Sequence, residues 1–321
     1  MHLGRSVPPL TTLSEGIAMK RRLTALIATI ALTATVSACS GSAATEGSAN
    51  ETADPANPVT VTIGVTDESK DYWDTFTDLA KDEGIEVELV NFTDYQQPNP
   101  IVSQGELDLN QFQHLLFLAN YNVSAGEDLV AIGATMIYQL GLYTDKGYTE
   151  PADIPDGAEI AIPNDPTNQA RALLVLQSAD LISLKDGGNA LSTPADIDEA
   201  ASRVTVVPVD ANQTTVQLKT LDGAIINNNF AADAGIDPTT AIYSDLEDTS
   251  AAEPYINVFA TRAKDAENPV YAKLVEIYHE ATVTDAVLAE SKGTAVVQNQ
   301  TPAELEAILT GLQDDVTAAK G

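Results

Sequence analysis

The side chains best placed to do chemistry lie where a predicted strand gives way to a predicted helix. The strand ends at Pro163, a turn rich in Asn, Asp and Pro follows, and the helix begins near Pro166. Asn168 and Arg171 are three residues apart, so they share one face of the first helical turns. An arginine fork can hold a carboxylate with two hydrogen bonds, and the free N–H groups of a helix start favour the same anion. The segment therefore predicts a carboxylate site, with a capped helix and a surface salt bridge as the alternative.

Aromatic and amide side chains are candidates to complete such a site. Tyr95 lies in one mixed aromatic and polar segment, and Phe112 and His114 lie in another. Ring faces suit an apolar or thioether group, since sulfur packs well against them, although ordinary core packing is the alternative. Asn227 closes a predicted strand and Asn257 lies within another. Amides both donate and accept, as the carboxylate and ammonium of an amino acid require, although asparagine is also common in turns.

The sequence lacks the usual motifs of catalysis. Its three histidines include no pair at metal-ligand spacing, and its single cysteine is Cys39, so no zinc site is predicted. Neither a G-x-S-x-G elbow nor a phosphate-binding glycine loop occurs. A carboxylate pair among the 47 acids is left open, because sequence does not give distances between side chains. We therefore expect a binding protein, not an enzyme, with no cofactor and no metal.

Alternating strands and helices must position these residues. Strands are predicted at residues 59–65, 85–90, 129–134, 159–162, 204–209, 223–227 and 256–260. Helices are predicted at residues 72–83 and 167–179, and after a capping box at residues 301–304. Trp73 is expected in the core, and His279 on the solvated face of a helix. The alternation indicates the α/β class with mostly parallel sheets, whose ligands bind beyond the carboxyl ends of strands, often between two lobes.

The N-terminal segment predicts export and lipid attachment. Residues 19–22 are positively charged, residues 23–36 form an apolar run too short to span a bilayer, and small residues lead up to Cys39. The pattern is similar to a bacterial lipobox, in which the cysteine is lipidated and becomes the first residue of the mature protein. An ordinary secretory peptide is the alternative. One thiol cannot form an internal disulfide, so the exported domain is expected to be stable through its core alone.

These features predict three functions for the first 58 residues. Residues 1–38 are expected to be the export signal, of which residues 19–38 are the functional part and residues 1–18 an over-extended start. Residues 39–58 carry the lipidated cysteine and a polar segment with no aliphatic side chain larger than alanine. Such a segment cannot bury enough surface to fold, so it predicts a flexible tether.

The chain is strongly acidic, with a formal net charge of −31. Removing residues 1–38 takes away four basic residues and one acid, which makes the mature charge about −34. A field of this sign repels phosphate backbones and anionic lipid head groups, so nucleic acid is excluded as a partner. No other apolar run is long enough to cross a bilayer, so membrane attachment is expected to depend on acyl chains on Cys39.

Several motifs follow one another along the chain after residue 58. They are Phe92-Thr93-Asp94-Tyr95 with Pro98-Asn99, Gly105-Glu106-Leu107-Asp108 before Phe112-Gln113-His114, Pro163-Asn164-Asp165-Pro166-Thr167-Asn168 with Arg171-Ala172-Leu173, Ala224-Ile225-Ile226-Asn227, and Pro254-Tyr255-Ile256-Asn257-Val258. In this order they resemble the methionine-binding lipoproteins, the substrate-binding components of methionine ABC importers. Several ordered motifs are more specific than any one of them, so the resemblance favours ligand binding over the structural alternatives given above.

The resemblance implies a periplasmic-binding-protein-like fold of two α/β lobes, with an amino acid enclosed in the cleft between them. One lobe is expected at residues 59–140 plus 253–321, and the other at residues 141–252. The implied partners are methionine or a related amino acid, an ABC permease with its ATPase, and the cell membrane. The protein would lie on the extracytoplasmic face, held by acyl chains such as palmitate.

The resemblance also implies a role for each candidate side chain. Arg171 would hold the ligand carboxylate with Asn168 beside it. Asn227 and Asn257 would bond the amino and carboxylate groups. Tyr95, Phe112 and His114 would form the pocket for the thioether side chain.

Three departures from the family pattern bear on the ligand. Residues 67–73 replace a small, histidine-containing stretch, residues 136–139 replace a segment with histidine and proline, and Phe117 takes the place of a tyrosine. If the first two changes line the cleft, D-methionine, a methionine dipeptide or another apolar amino acid becomes a candidate beside L-methionine. The alternatives in function are a sensor or adhesin lipoprotein without a transport role, and a secreted enzyme.

Overall fold

The computed structural model describes residues 53–247 and 252–320 of the chain. These residues belong to one compact unit that spans residues 46–321. The predicted lipidation site at Cys39 and the export signal lie outside the described residues. Within the described ranges, no helix combines the length and the apolar character that crossing a bilayer requires.

Strands and helices alternate along most of the described chain. The strands are β1 (Val59–Val65), β2 (Ile85–Asn91), β3 (Leu109–His114), β4 (Leu129–Ala134), β5 (Met136–Tyr138), β6 (Leu140–Tyr143), β7 (Glu159–Pro163), β8 (Thr205–Val209), β9 (Gly223–Asn227), β10 (Tyr243–Ser244), β11 (Asn257–Arg262) and β12 (Ala295–Val297). The helices are α1 (Asp71–Asp82), α2 (Pro98–Gln104), α3 (Leu115–Ala125), α4 (Pro166–Ser178), α5 (Thr214–Gln217), α6 (Asn228–Asp233), α7 (Pro269–Tyr278), α8 (Ala281–Glu290) and α9 (Pro302–Lys320).

The first sheet has the strand order β2-β1-β3-β11-β4 within the described residues. The pairings of β1 with β2 and β3 are parallel, and β11 is antiparallel to both β3 and β4, so four strands share one direction and β11 is reversed. The β-branched side chains of β1 alternate, and Val61, Ile63 and Val65 are buried against α1 and α7. Burial of such side chains removes apolar surface from water and is the main stabilising contribution to the sheet.

The second sheet has the order β10-β6-β9-β7-β8 among the strands described. Here β7 pairs in parallel with β8 and β9, and β6 is antiparallel to β9 and β10, so β6 is the reversed strand. Helix α4 packs on this sheet through Leu173 and Leu176, which are fully buried. The chain passes between the two sheets at residues 135–139, where β5 pairs with β12, and again after β10.

Most of the predicted elements are confirmed within one or two residues. The α/β class is confirmed, but the prediction of mostly parallel sheets is wrong, because four strand pairings among the described residues are parallel and five are antiparallel. The capping box holds, since the Thr301 N–H donates to Glu304 Oε2 at 2.8 Å. Trp73 lies in the core with 1% of its surface exposed, as expected. The expectation for His279 is wrong: it follows the end of α7, is half-buried, and its Nε2 bonds the Ala134 carbonyl at 2.9 Å.

A close backbone approach at Gly84 leads to a stability prediction. Gly84 has a left-handed φ of +79°, and a Cβ added there would lie 2.4 Å from the Asp54 carbonyl carbon. Gly126 has a similar φ of +72° but no atom within 4 Å of an added Cβ. Both alanine variants should lose about 1–2 kcal/mol from the left-handed backbone, and Gly84→Ala should lose about 1–3 kcal/mol more from overpacking.

Urea unfolding of the two variants measures this difference directly. Gly126→Ala is the matched control, because it repeats the backbone cost without the steric clash. Equal losses in the two variants would contradict the contact between Gly84 and the Asp54 backbone.

Candidate functional site

A cleft between the two sheets gathers the candidate residues. Its walls contain every side chain that the sequence predicts for the site, namely Tyr95, Phe112, His114, Asn168, Arg171, Asn227 and Asn257. Most of the residues come from the carboxyl ends of strands: β3 ends at His114, β9 ends at Asn227, and α4 follows directly after β7. Asn257 begins the antiparallel strand β11 and lies opposite His114. The cleft therefore lies beyond the carboxyl ends of the parallel strands, where the loops and helices that follow them can contact a ligand.

The segments that depart from the family pattern also reach this cleft. Asp67 follows β1, Tyr138 and Gln139 lie in the crossing between the sheets, and Phe117 lies in α3. All four line the cleft. Residues of the first two departures therefore lie at the site. Within the described ranges, no group of three or more His, Cys, Asp or Glu side chains is arranged to hold a metal ion.

The start of α4 differs from the expectation of free N–H groups. The Asp165 carboxylate caps the helix by accepting from the Asn168 N–H at 3.0 Å. It also accepts from the Asn168 side-chain amide at 3.0 and 3.1 Å and from the Thr167 hydroxyl at 3.1 Å. The helix end is thus already satisfied by the chain's own carboxylate, so the positive charge available to a ligand is that of Arg171.

Arg171 is held in place by three contacts. Its Nε donates to Asp245 Oδ2 at 2.6 Å, its Nη2 donates to the Tyr138 carbonyl at 2.8 Å, and its Cζ lies 4.2 Å from the centre of the Tyr255 ring. The Arg171 side chain is 6% exposed and that of Asp245 is 23% exposed, so the ion pair is partly buried and is not the surface salt bridge of the alternative interpretation. Nη1 forms no hydrogen bond within the described residues, which leaves one edge of the guanidinium for a ligand.

His114 is a neutral hydrogen-bond donor at the end of β3. Its Nδ1 accepts from the Phe117 N–H at 3.1 Å, so the proton lies on Nε2, which points to Asn168 Oδ1 at 3.4 Å. Burial lowers the pKa of the His114 imidazole to about 3, the Arg171 charge adds to this shift, and the bond to Asn168 opposes it. The ring therefore presents an uncharged aromatic face to the cleft at neutral pH.

The pKa of His114 gives an expected pH dependence of stability. The unfolded chain takes up a proton near pH 6.5, whereas the folded protein keeps the ring neutral down to a pKa of about 3. Acidification below pH 6.5 therefore favours the unfolded state, and the free energy of unfolding should fall by about 2 kcal/mol between pH 7 and pH 5 through this residue.

The His114→Gln variant isolates this contribution in urea unfolding at several pH values. Every other titrating group is present in both proteins, so its effect cancels in the difference between them. The wild-type protein should lose more stability than the variant as the pH falls. Parallel curves for the two proteins would show that His114 is protonated in the folded state.

Amide side chains line both sides of the cleft. Asn227 Nδ2 donates to Asn168 Oδ1 at 3.0 Å, and Asn257 Nδ2 donates to the Tyr255 carbonyl at 3.3 Å. Asn227 Oδ1 is buried and has no hydrogen-bond partner among the described residues. A buried acceptor without a donor costs about 1–3 kcal/mol, so this oxygen is suited to an N–H group of a ligand.

Aromatic rings form the wall opposite the arginine. The ring centre of Tyr95 lies 5.9 Å from that of Phe112, 6.2 Å from Phe117 and 5.0 Å from Phe230. The Tyr95 hydroxyl donates to Asn229 Oδ1, which fixes the ring. Such a wall offers an apolar, polarizable surface, as a thioether or aliphatic group requires.

Exposed contacts also join the two halves of the chain. Asn212 Nδ2 donates to the Thr93 carbonyl at 3.0 Å, and Lys292 Nζ lies 2.7 Å from Asp237 Oδ2. In each pair one residue belongs to the half of the chain that builds the second sheet. Within the cleft, the bonds of His114 to Asn168 and of Tyr95 to Asn229 join its two sides.

Two partners of Arg171 were not identified from the sequence. Asp245 lies 74 residues away from Arg171 in the sequence. Tyr255 belongs to a motif in which only Asn257 was predicted as a site residue. The amide of Asn229, which bonds Tyr95, was not among the predicted site residues. No spacing rule relates these residues to Arg171 or Tyr95, because the contacts arise from the packing of distant segments.

A family model and a related protein that match this chain are both described as lipoproteins. Residues 61–299 match the sequence model of a family described as NlpA lipoprotein. The D-methionine-binding lipoprotein MetQ of Salmonella typhi is 36% identical over 272 residues, which cover 82% of this chain and 96% of that protein.

Two solved structures share the fold. The substrate binding protein of a methionine transporter from Streptococcus pneumoniae has a TM-score of 0.69 and 36% identity, and the match covers 74% of this chain and 95% of that one. A nutrient binding protein from Burkholderia cenocepacia, bound to methionine, has a TM-score of 0.69 and 36% identity, with coverage of 74% and 99%.

Proposed function

Since the chain belongs to the NlpA lipoprotein family, we propose that it is a lipid-anchored, extracytoplasmic substrate-binding protein that captures methionine and delivers it to an ABC importer. The observation that carries this proposal is the convergence of seven candidate side chains on one cleft, although they are spread over 163 positions of the sequence, from Tyr95 to Asn257. The names of the similar proteins, which refer to methionine binding and a methionine transporter, support the same ligand.

Each part of a methionine molecule has a matching group in the cleft. The free Nη1 edge of Arg171 suits the carboxylate, because guanidinium and carboxylate form strong charge-assisted bonds. The unpaired Asn227 Oδ1 suits an N–H group, and Asn168 and Asn257 supply further amides. The rings of Tyr95, Phe112 and His114 suit the thioether.

The two sheets would act as two lobes that close on the ligand. We assign residues 59–140 plus 253–321 to one lobe and residues 141–252 to the other, with the hinge at the crossings between the sheets. A ligand that touches both sides stabilises the closed form by its additional contacts there. The closed form would then dock on a permease whose ATPase lies in the cytoplasm, and lipid on Cys39 would hold the protein at the membrane.

Calorimetry on ligand-stripped protein tests the function. L-methionine, D-methionine and glycyl-L-methionine are titrated separately, because the residues of the first two departures line the cleft and make all three ligands candidates. Saturable binding of at least one of them is expected. The absence of binding by all three, with a folded protein, would contradict the proposal.

A further inference from the structure

Two charged side chains of opposite sign line the cleft. Among the cleft residues in the described ranges, Arg171 carries a positive charge and Asp67 a negative one, and the others are uncharged once His114 is neutral. Arg171 already has the Asp245 carboxylate at 2.6 Å. The local charge of the cleft is therefore negative, and its origin is Asp67.

Asp67 is held by core aromatic residues. Its Oδ2 accepts from the Tyr72 hydroxyl at 2.8 Å and its Oδ1 accepts from the Trp73 Nε1–H at 3.0 Å. Tyr72 and Trp73 are 3% and 1% exposed, so neither donor can move away from the carboxylate without disturbing the core. The position of this anion is thus fixed from behind, while one side of it lines the cleft.

No cation forms an ion pair with Asp67 within the part of the chain that is described, and the nearby charge of Lys70 only partly opposes the rise of its pKa. Lys70 is three residues away, but its Nζ lies 3.7 Å from both Asp233 and Glu290 and forms no ion pair with Asp67. Burial raises the pKa of the Asp67 carboxyl, while the bonds from Trp73 and Tyr72 oppose this shift. A carboxylate that is removed from water and bonded only by neutral donors is stabilised when a cation arrives.

We propose that the carboxylate of Asp67 receives the ammonium group of the ligand, so that binding requires a free amine. The inference rests on the proposed function, in which the cleft captures methionine either free or at the end of a short peptide. A free amino acid would direct one ammonium to both Asp67 and Asn227 Oδ1, since an ammonium has three donors. A dipeptide would instead give its amide N–H to Asn227 and its terminal ammonium to Asp67.

Two pairs of ligands that differ only in the ammonium group test the proposal. The first pair is L-methionine and 4-(methylthio)butanoate, and the second is glycyl-L-methionine and N-acetyl-L-methionine. Affinities of the wild-type protein and of Asp67→Asn are measured by calorimetry, with competition for the weak ligands. The amine preference is the affinity for the ligand with the ammonium divided by the affinity for the ligand without it. In one pair this ratio should fall about 10- to 100-fold in Asp67→Asn, the usual range for a hydrogen bond to a charged group.

Asp71→Asn is the matched control, because it removes the same charge from an exposed residue in the first turn of α1. Its amine preference should stay within about threefold of the wild-type value, since exposed charges at a distance are screened. A purely structural role of Asp67 would weaken both members of each pair equally and leave the preference unchanged. A lower preference in the first pair would show that Asp67 binds the ammonium of a free amino acid, and a lower preference in the second pair would show that it binds the terminal ammonium of a dipeptide.

Three results would overturn the proposal. They are an unchanged preference in both pairs for Asp67→Asn, an equal change in Asp71→Asn, and equal affinity of the wild-type protein for the two members of both pairs. The last result does not depend on the folding of any variant. It also differs from failure of the proposed function, in which the wild-type protein binds none of the four compounds and does not bind D-methionine.

Discussion

Replacing Arg171 with alanine is expected to weaken methionine binding by about 2–5 kcal/mol, which is the usual cost of removing one partner of a buried charge pair. The guanidinium is 6% exposed and provides the positive charge of the cleft. In the variant, the ligand carboxylate would be enclosed without a charged donor, and burial of an unpaired carboxylate is strongly unfavourable. Calorimetry should therefore show a loss of roughly 30-fold to several thousand-fold in affinity.

Arg203→Ala is the matched control for this experiment. Arg203 also pairs with an aspartate, since its Nε lies 2.9 Å from Asp156 Oδ1, but it does not line the cleft. Its loss should leave the affinity unchanged, because a partly exposed ion pair far from the ligand contributes little.

Arg171→Lys separates charge from geometry. A lysine keeps the positive charge but lacks the planar fork, so it should restore only part of the affinity. Full affinity in Arg171→Ala, with normal thermal stability, would remove Arg171 from the binding site and with it the proposed orientation of the ligand.

The positions of the elements follow from local pattern where one face of a strand or helix is apolar. In β1 the β-branched residues alternate, and in α9 Leu305, Leu309, Leu312 and Val316 recur at helical spacing, so both elements are predictable. The relation between Asn168 and Arg171 is equally local, because a helix brings residues three apart to one face. For these residues, sequence alone predicts both the element and the direction of the side chains.

The strand β3 shows where this reasoning fails. It contains Asn110 and Gln113, which are polar but buried, and so it lacks the alternation of a typical strand. Their amides are satisfied by Asn99, since Gln113 Nε2 donates to Asn99 Oδ1 at 2.6 Å and Asn110 Nδ2 donates to the same oxygen at 2.9 Å. The partner lies in another element, so the stability of this strand depends on tertiary contacts that a local pattern does not contain.

The charges around the site are unpredictable for the same reason. Asp245 approaches Arg171 from 74 residues away, and Asp165 takes the helix start that a ligand carboxylate was expected to use. Sequence gives the residue types that can bind an amino acid. The distances that decide which of them remain free for the ligand arise only when the two sheets come together.

Replacing Trp73 with alanine is expected to lower the free energy of unfolding by about 3–5 kcal/mol, as is usual for a large buried aromatic residue. Trp73 is the single tryptophan of the chain and is 1% exposed. Its ring centre lies 4.8 Å from that of Tyr72 and 5.3 Å from that of Phe76, so truncation would leave a cavity among closely packed rings. Guanidinium unfolding followed by far-UV circular dichroism measures the effect, since the variant has no tryptophan fluorescence.

Trp73→Phe distinguishes the loss of volume from the loss of the hydrogen bond. Phenylalanine keeps most of the apolar contact but lacks the Nε1–H that donates to Asp67 at 3.0 Å. This variant should lose only about 1–3 kcal/mol, because one donor to a buried carboxylate is removed while the core stays filled. A loss below about 1 kcal/mol in Trp73→Ala would contradict a core position for Trp73. Equal losses in the two variants would instead mean that the bond to Asp67, and not packing, accounts for the contribution of this residue.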